Sequence, residues 1–584
     1  MKRTWGSVVV MAIVILAIAM PAISADRTRA VATNGVIVAQ STAKLRAIYT
    51  EADLAKGVYV GSNFCLACHK SMSTYKDTNH ASFIRRPLTQ WSLVPGKGVI
   101  ADYDNNRVDD FIQGIDFNAI SSPFDKYKPN APKLSVESGK YFVTIGSLKM
   151  EVLLTVAGQR NGSAQRFVVR VPVSDTANKL STSAYFAPLS YTPATGWAAY
   201  SPNAWYDATT SAPKFAAGIG SAALVASGGP SNHTSGCTGC HMGEAVKSLT
   251  KTPSGETKFL GYPAVLYTAD DPNVIDYDAD GNFELMNIGC EGCHGPGGNH
   301  ILSGGDPIKI VNPKNLKASA QAEICGRCHV TGKSIPNGTY NWPVNDATGT
   351  DWTPADAKAG TPLSNFYTDA AVYWPDGVHP NGGRPYNAYK ISAHANFAPH
   401  VVGCPECHDP HVEGEGMLIR EESLQGTLLI KTSAEDNSLC LACHATHGPF
   451  ADFTKQDVAD MKSGKPEALD KIAKVSEKHT HHPYAPERMM GLSRCIGCHM
   501  PGGMHNFDAI SPEMTLKYKD VKVGTTMGQT NSCAAGCHNQ RVDIYNYGIK
   551  GTATGWNNPF DLKLATSLKA YFGEGGIWWD TKKP

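Results

Sequence analysis

All 16 cysteines of this 584-residue chain fall into one kind of motif. Seven times the chain reads Cys-x-x-Cys-His: Cys65, Cys68 and His69; Cys237, Cys240 and His241; Cys290, Cys293 and His294; Cys325, Cys328 and His329; Cys404, Cys407 and His408; Cys440, Cys443 and His444; Cys495, Cys498 and His499. The eighth copy, Cys533, Cys537 and His538, is longer by one residue. Two cysteines at this spacing can each form a thioether to a haem vinyl group, and the histidine beside the second becomes an axial ligand of the iron. Eight motifs take all 16 cysteines with none left over, which predicts eight covalently bound haem c groups. In the stretched motif the extra residue must bulge for both sulfurs to reach their vinyl carbons.

Zinc ribbons, redox-active dithiols and disulfides also use Cys-x-x-Cys, but none requires a histidine directly after every second cysteine. Eight such histidines in succession favour haem.

The first residues read as an export leader. Lys2 and Arg3 precede an apolar run from Val8 to Met20, and small residues after Pro21 offer cleavage behind Ala25. The run is shorter than the ~20 residues of a membrane-spanning helix, and no other segment is long and apolar enough to cross a bilayer. The mature chain is therefore expected to be exported, periplasmic or extracellular, without a membrane span. The formal charge of +1 falls to −1 once Lys2 and Arg3 are removed. There is no basic stripe of the kind that binds nucleic acid. The 56 glycines and 36 prolines imply long irregular stretches, as expected of a chain that wraps porphyrin edges.

Motif spacing divides the chain unevenly. Residues 1–25 form the leader, and 26–100 an N-terminal segment with the first haem site. No motif lies between Cys65 and Cys237, 172 residues apart, and residues 101–230 read as a β-rich, haem-free insertion. Its strand signals are Tyr141 to Ile145, Met150 to Val156 and Arg166 to Val173, separated by glycine-containing turns. Residues 231–450 carry the second to sixth sites and 451–584 the last two. In the last part a helical pattern from Thr454 to His479 breaks at Ser463 to Pro466, predicting two helices, the second from about Pro466 to Lys478. A further short helix is expected over Asp561 to Tyr571.

The second axial ligand decides what each haem can do, because an iron closed on both faces exchanges electrons without binding substrate. Of 20 histidines, eight belong to motifs, leaving His80, His233, His300, His379, His394, His400, His411, His447, His479, His481, His482 and His505. Twelve exceed the eight needed. His300, His411 and His447 lie just beyond a motif, which suits a ligand for a neighbouring haem, and His80 is similar. His505 follows the seventh motif, His379 ends a Trp-Pro-Asp-Gly turn and His233 precedes the second motif. One of His394 and His400 is the candidate near Cys404, His394 foremost, and His482 is the candidate from the 479–482 cluster. Met500 and Met504 are alternative ligands.

One further pattern could hold a metal. Asp276, Asp278, Asp280, Asn282 and Glu284 place oxygens at alternating positions around Gly281, as in a calcium loop, but loop position twelve is Asn287 and not glutamate. An acidic surface turn is the competing reading.

The segments around the motifs, Tyr59 to His69, Cys290 to His300, Cys325 to His329, Cys404 to His411, and His481-His482 upstream of Cys495 to Pro501, resemble the multihaem cytochromes of the cytochrome c554 and octahaem type. The resemblance covers about residues 59–100 and 230–540, leaving the β-rich insertion outside. It implies irregular coil and short α-helices wrapped around closely packed haems. It also implies electron transfer in periplasmic or extracellular respiration, with other redox proteins or extracellular acceptors as partners and filament assembly as an option. The alternative is an octahaem oxidoreductase of the nitrite, hydroxylamine or tetrathionate type with one open haem. The chain lacks the Cys-x-x-Cys-Lys motif of some nitrite reductases.

Overall fold

This computed structural model describes residues 42–50, 57–87, 124–138, 140–158, 164–192, 196–226, 229–269, 271–347, 359–379, 384–414, 417–480, 482, 494–535 and 556–572. The expected leader, His481, Cys537 and His538 lie outside them.

Alternating large apolar and polar side chains build an antiparallel sheet. Its strands are β1 (Ile84–Arg85), β2 (Lys133–Glu137), β3 (Lys140–Ile145), β4 (Leu148–Val156), β5 (Gln165–Val169), β6 (Tyr185–Thr192) and β7 (Gly196–Ala199). Strands β2 to β7 pair in sequence order, as a meander of consecutive antiparallel strands does. β1 pairs with the far end of β4, Ile84 opposite Val156. The sheet therefore recruits two residues from the segment expected to belong to the first haem site. Tyr141, Val143 and Ile145 point inward from β3, following the period of two.

A bulge in β4 connects this sheet to the rest of the molecule. The β4–β5 register shifts between Val152 and Leu154, and one extra residue swaps which face a strand's side chains occupy. Leu148, Met150 and Val152 accordingly pack into one core with Phe124, Tyr141, Phe167 and Trp205. Leu154 and Val156 pack into another with Ile84, Phe186, Met242, Tyr277 and Trp342. The second core includes residues directly after the second motif, so the sheet is a wall of that motif's site.

Each described motif occupies a single helical turn. α1 is Ser62–Cys68, α2 Thr238–His241, α3 Cys290–His294, α4 Ala318–Gly326, α5 Cys404–Cys407, α6 Ser438–His444, α7 Lys455–Lys462, α8 Pro466–Thr480, α9 Cys495–His499 and α10 Pro559–Phe572. Helical geometry explains the motif: residues i, i+3 and i+4 share one face, so a single turn aims both sulfurs and the imidazole the same way. The turn after α4 obeys the same rule, with His329 N–H donating to Cys325 O at 3.0 Å.

The late helices lie where the sequence predicts them. Thr454 caps α7, accepting from Asp457 N at 3.1 Å while Asp457 accepts from Thr454 N at 2.7 Å. Gly464 (φ 75°) ends the turn, and Pro466 starts α8. Val458, Met461 and Ile472 bury the shared face against Phe453. α8 runs two residues past the expected end and carries His479 in its last turn.

Candidate haem-ligating sites

The 15 described cysteines are all free thiols, standing in for the thioethers of an attached haem. Several meet across motifs: Cys65 lies beside Cys290, Cys240 beside Cys328, Cys325 beside Cys404 and Cys440 beside Cys495. Motifs far apart in sequence thus bring their attachment points together in pairs.

Six motif histidines each face a second histidine ring. The pairs and centroid separations are His69–His300 at 6.3 Å, His329–His80 at 6.3 Å, His294–His411 at 6.3 Å, His408–His505 at 6.2 Å, His499–His479 at 6.3 Å and His444–His394 at 5.9 Å. Two imidazoles that bind one metal from opposite sides, at about 2 Å per bond, hold their centroids about 6 Å apart. The donor set therefore fits six irons, each between two rings.

Hydrogen bonds orient these rings for the task. Nδ1 of His294 donates to Val311 O (2.8 Å), that of His408 to Met417 O (2.9 Å) and that of His499 to Phe507 O (2.9 Å). On the facing side, Nδ1 of His300 donates to Asp306 O (2.9 Å) and that of His505 to Gly503 O (2.8 Å). His411 Nδ1 lies 3.1 Å from Asp409 Oδ1. A proton fixed on Nδ1 leaves Nε2 with its lone pair for a metal, as in ligating histidines generally. Burial favours the neutral form of several of them. It pushes His329 down to about 4, with His80 adding to the effect, and also lowers His80, His294, His408 and His505.

The facing partners come from other motifs' segments. His300, just after the third motif, faces the first motif's His69. His411, after the fifth, faces the third motif's His294. His505, after the seventh, faces the fifth motif's His408. In the 479–482 cluster it is His479, not the expected candidate His482, that faces a motif histidine; its ring lies within 10° of parallel to that of His499. The signal for it was partly available: His479 ends the helical pattern read from Thr454, one residue past the expected end of the second helix, and the structure extends α8 over it. His482 Nδ1 donates to Thr480 O at 2.8 Å, and His447 Nδ1 to Ala445 O at 3.0 Å. His400 Nε2 lies 3.1 Å from Glu406 Oε2.

His379 is 2% exposed, beside Tyr373. Its turn packs on the segment that leads into the stretched motif: Trp374 and Val378 cluster with Met504, Ile510 and Tyr518, and Gln529 donates to Asp376.

The second motif differs from the other six. Phe83 stacks on the His241 ring, centroids 4.3 Å apart and planes within 13°. His233 is fully buried, its Nδ1 2.9 Å from the Tyr277 hydroxyl, and its Nε2 has no hydrogen-bond partner among the described residues. Burial, with His241 adding to it, pushes His233 down to about 3.

At the acidic loop the structure gathers Asp276, Asp278 and Glu284, one carboxylate oxygen of each within 4.8 Å of the others. Asp280 instead accepts from Asn282 N at 2.8 Å and from its side-chain amide at 3.1 Å. Asp280 and Asn282 thus bond each other rather than joining the three.

No family model matches the chain, and no curated protein matches it. Among solved structures it is similar to the outer cell wall cytochrome OcwA, at 19% identity and a TM-score of 0.37, over 84% of this chain and 88% of that one. It is also similar to an undecahaem cytochrome from the S-layer of Carboxydothermus ferrireducens, at 17% identity and a TM-score of 0.29, over 91% of this chain and 70% of that one.

Proposed function

We propose that this chain is an exported multihaem c-type cytochrome that passes electrons along eight packed haems, most of them held between two histidines. The observation that carries this reading is the set of six opposed imidazole pairs at 5.9–6.3 Å, each including a histidine that follows a Cys-x-x-Cys pair. The cysteines would anchor each porphyrin edge and the paired imidazoles would clamp its iron. Haem supplies reversible one-electron chemistry when bound, and the chain sets its potential through ligation, burial and nearby charge. The thiol contacts between motifs would bring neighbouring porphyrin edges together. Donors and acceptors would be other redox proteins or extracellular electron acceptors. Among the described residues no helix is long and apolar enough to cross a membrane.

The test is direct. Purified from a host that matures c-type haem, the protein should carry eight haem masses that survive denaturation. It should also give an oxidised electron paramagnetic spectrum dominated by low-spin iron. A chain without covalent haem, or one whose spectrum is mainly high-spin, overturns the reading.

A second reading, an oxidoreductase with one open haem, is favoured by the second motif, where among the described residues no second imidazole ring pairs with His241 as one does with the other six motif histidines. There His233 and Tyr277 would line the exchangeable face. A high-spin signal that responds to nitrite or hydroxylamine and is altered by His233→Ala would support it. A wholly low-spin spectrum would sink it.

A further inference from the structure

Glu244 and Glu291 are 3% and 1% exposed, and both bear on the turn that carries the third motif. Glu291 lies inside that motif, and its carboxylate accepts from three backbone amides. Val60 N is 3.0 Å from each oxygen, Gly61 N is at 2.7 Å and Gly297 N at 2.5 Å. Glu244 accepts from Gly292 N, the next residue of the same turn, at 2.6 Å. It is packed so closely there that a Cβ on Gly289 would fall 2.5 Å from its Oε2. The first motif closes the other side: Cys65 lies beside Cys290, and Cys290 N donates to Ser62 Oγ at 3.1 Å. The two carboxyls therefore sit where the first and third motifs meet.

Two buried carboxyls in mutual repulsion do not both ionise readily. Three amide donors mark Glu291 as the ionised member, and a single donor leaves Glu244 to hold the proton. Burial raises Glu291 to about 7 against the pull of those amides. Burial and then the charge of Glu291 raise Glu244 well above the usual carboxylate range. The remaining groups facing the pair have fixed charge. Burial pushes Tyr75 and Tyr267 up, so both stay neutral. Cys65, Cys290 and Cys293 become uncharged thioethers when haem is attached. Arg327 is a permanent cation that donates to Gly292 O at 2.9 Å.

We propose that the Glu244–Glu291 pair takes up a proton when the first or third haem site is reduced. This rests on the multihaem reading above. An electron from a partner cytochrome lowers the iron's charge by one, and a proton from solvent forms an O–H bond on the ionised carboxylate. The junction's net charge is then unchanged. Electron flow through this junction is thereby coupled to proton uptake, and its potential falls as pH rises.

Spectroelectrochemical titration of the holoprotein across pH 6 to 8 tests this, comparing wild type with Glu244→Gln and Glu291→Gln. Glutamine keeps an acceptor oxygen for the amide donors but takes up no proton. The expected result is a pH-dependent component of the titration in wild type that Glu291→Gln loses and that Glu244→Gln, which replaces a carboxyl already holding its proton, keeps, with haem content unchanged. Reduction-induced infrared difference spectra of wild type give a second reading that needs no variant: a new buried carboxylic-acid carbonyl band should appear on reduction. Equal pH dependence in all three proteins, or no such band, overturns the proposal and assigns any proton uptake to the haem propionates. Failure to reduce as a c-type cytochrome would instead overturn the multihaem reading, a distinct outcome.

Discussion

Of the seven Cys-x-x-Cys-His motifs, three share glycine directly before the second cysteine, and the structure predicts three different consequences of adding one methyl group there. At Gly239, in the second motif, a Cβ would fall 2.2 Å from Cε2 and Nε1 of Trp342, a side chain 2% exposed in the core behind the sheet. Ordinary contact needs about a further 1 Å, and a buried indole cannot give that much without displacing its neighbours. Overpacking of this kind costs about 1–3 kcal/mol. At Gly497, in the seventh motif, a Cβ meets nothing within 4 Å. Gly497→Ala should then be neutral, or stabilising by up to about 1 kcal/mol through the lower backbone entropy of alanine in a helical turn. Gly292 falls between, with Ile288 at 3.1 Å and the Glu244 carboxylate at 3.2 Å. Denaturant unfolding of the three holoproteins, followed by haem absorbance and compared at the midpoint, checks the order. Gly239→Ala should unfold at the lowest denaturant concentration and Gly497→Ala at or above wild type. Equal shifts for Gly239→Ala and Gly497→Ala would refute the reasoning, since motif chemistry alone would then explain both.

Other expectations follow from single contacts. His479→Ala should convert one low-spin haem to high-spin, while His482→Ala leaves the spin count unchanged; the reverse pattern would reassign the ligand within that cluster. Glu284 is raised from 4.5 to about 8, chiefly by burial and then by the neighbouring aspartates, so its contribution is fully present below pH 4.5 and lost as pH rises through 8. In the presence of a chelator, Glu284→Gln should flatten that loss in a stability–pH curve. Asp175 is held below its usual value by hydrogen bonds from the Ser221 side chain and backbone, a contribution present above the ordinary aspartate value and lost as pH falls through the lowered one. Ser221→Ala should therefore destabilise at neutral pH and match wild type in strong acid; a deficit that persists in acid would mean packing, not charge.

What could be read from the chain beforehand divides along local and long-range lines. Helices α7, α8 and α10, and strands β3, β4 and β5, are local patterns, and their positions agree with the structure to within a few residues at most ends. The haem-attachment spacing is local too, since one helical turn contains all of it. The partner of each motif histidine is not local. His479 and His482 are both plausible from sequence, and only the packing of α8 against Phe453 and Phe450 puts the His479 ring opposite His499. Phe83 has no motif around it, yet pairing of β1 with β4 brings it onto His241. Glu291 looks like an ordinary variable position of Cys-x-x-Cys-His; its role depends on Val60 and Gly61, more than 200 residues earlier.

The crossing of ligands between motifs has a consequence for how such a chain matures. A porphyrin can be anchored by its own two cysteines and adjacent histidine within a stretch of five residues, before any tertiary structure exists. The facing imidazole arrives only when a distant segment docks: His300 on His69, His411 on His294, His505 on His408. Covalent haem content and low-spin iron thus report different events, attachment and folding. With haem bound as proposed, each facing histidine would cross-link two motif segments through one metal, which would remove chain entropy from the unfolded state as any long-range cross-link does. Loosening of one segment should therefore be felt first at the facing site of its neighbour, as loss of a sixth ligand with the haem still in place.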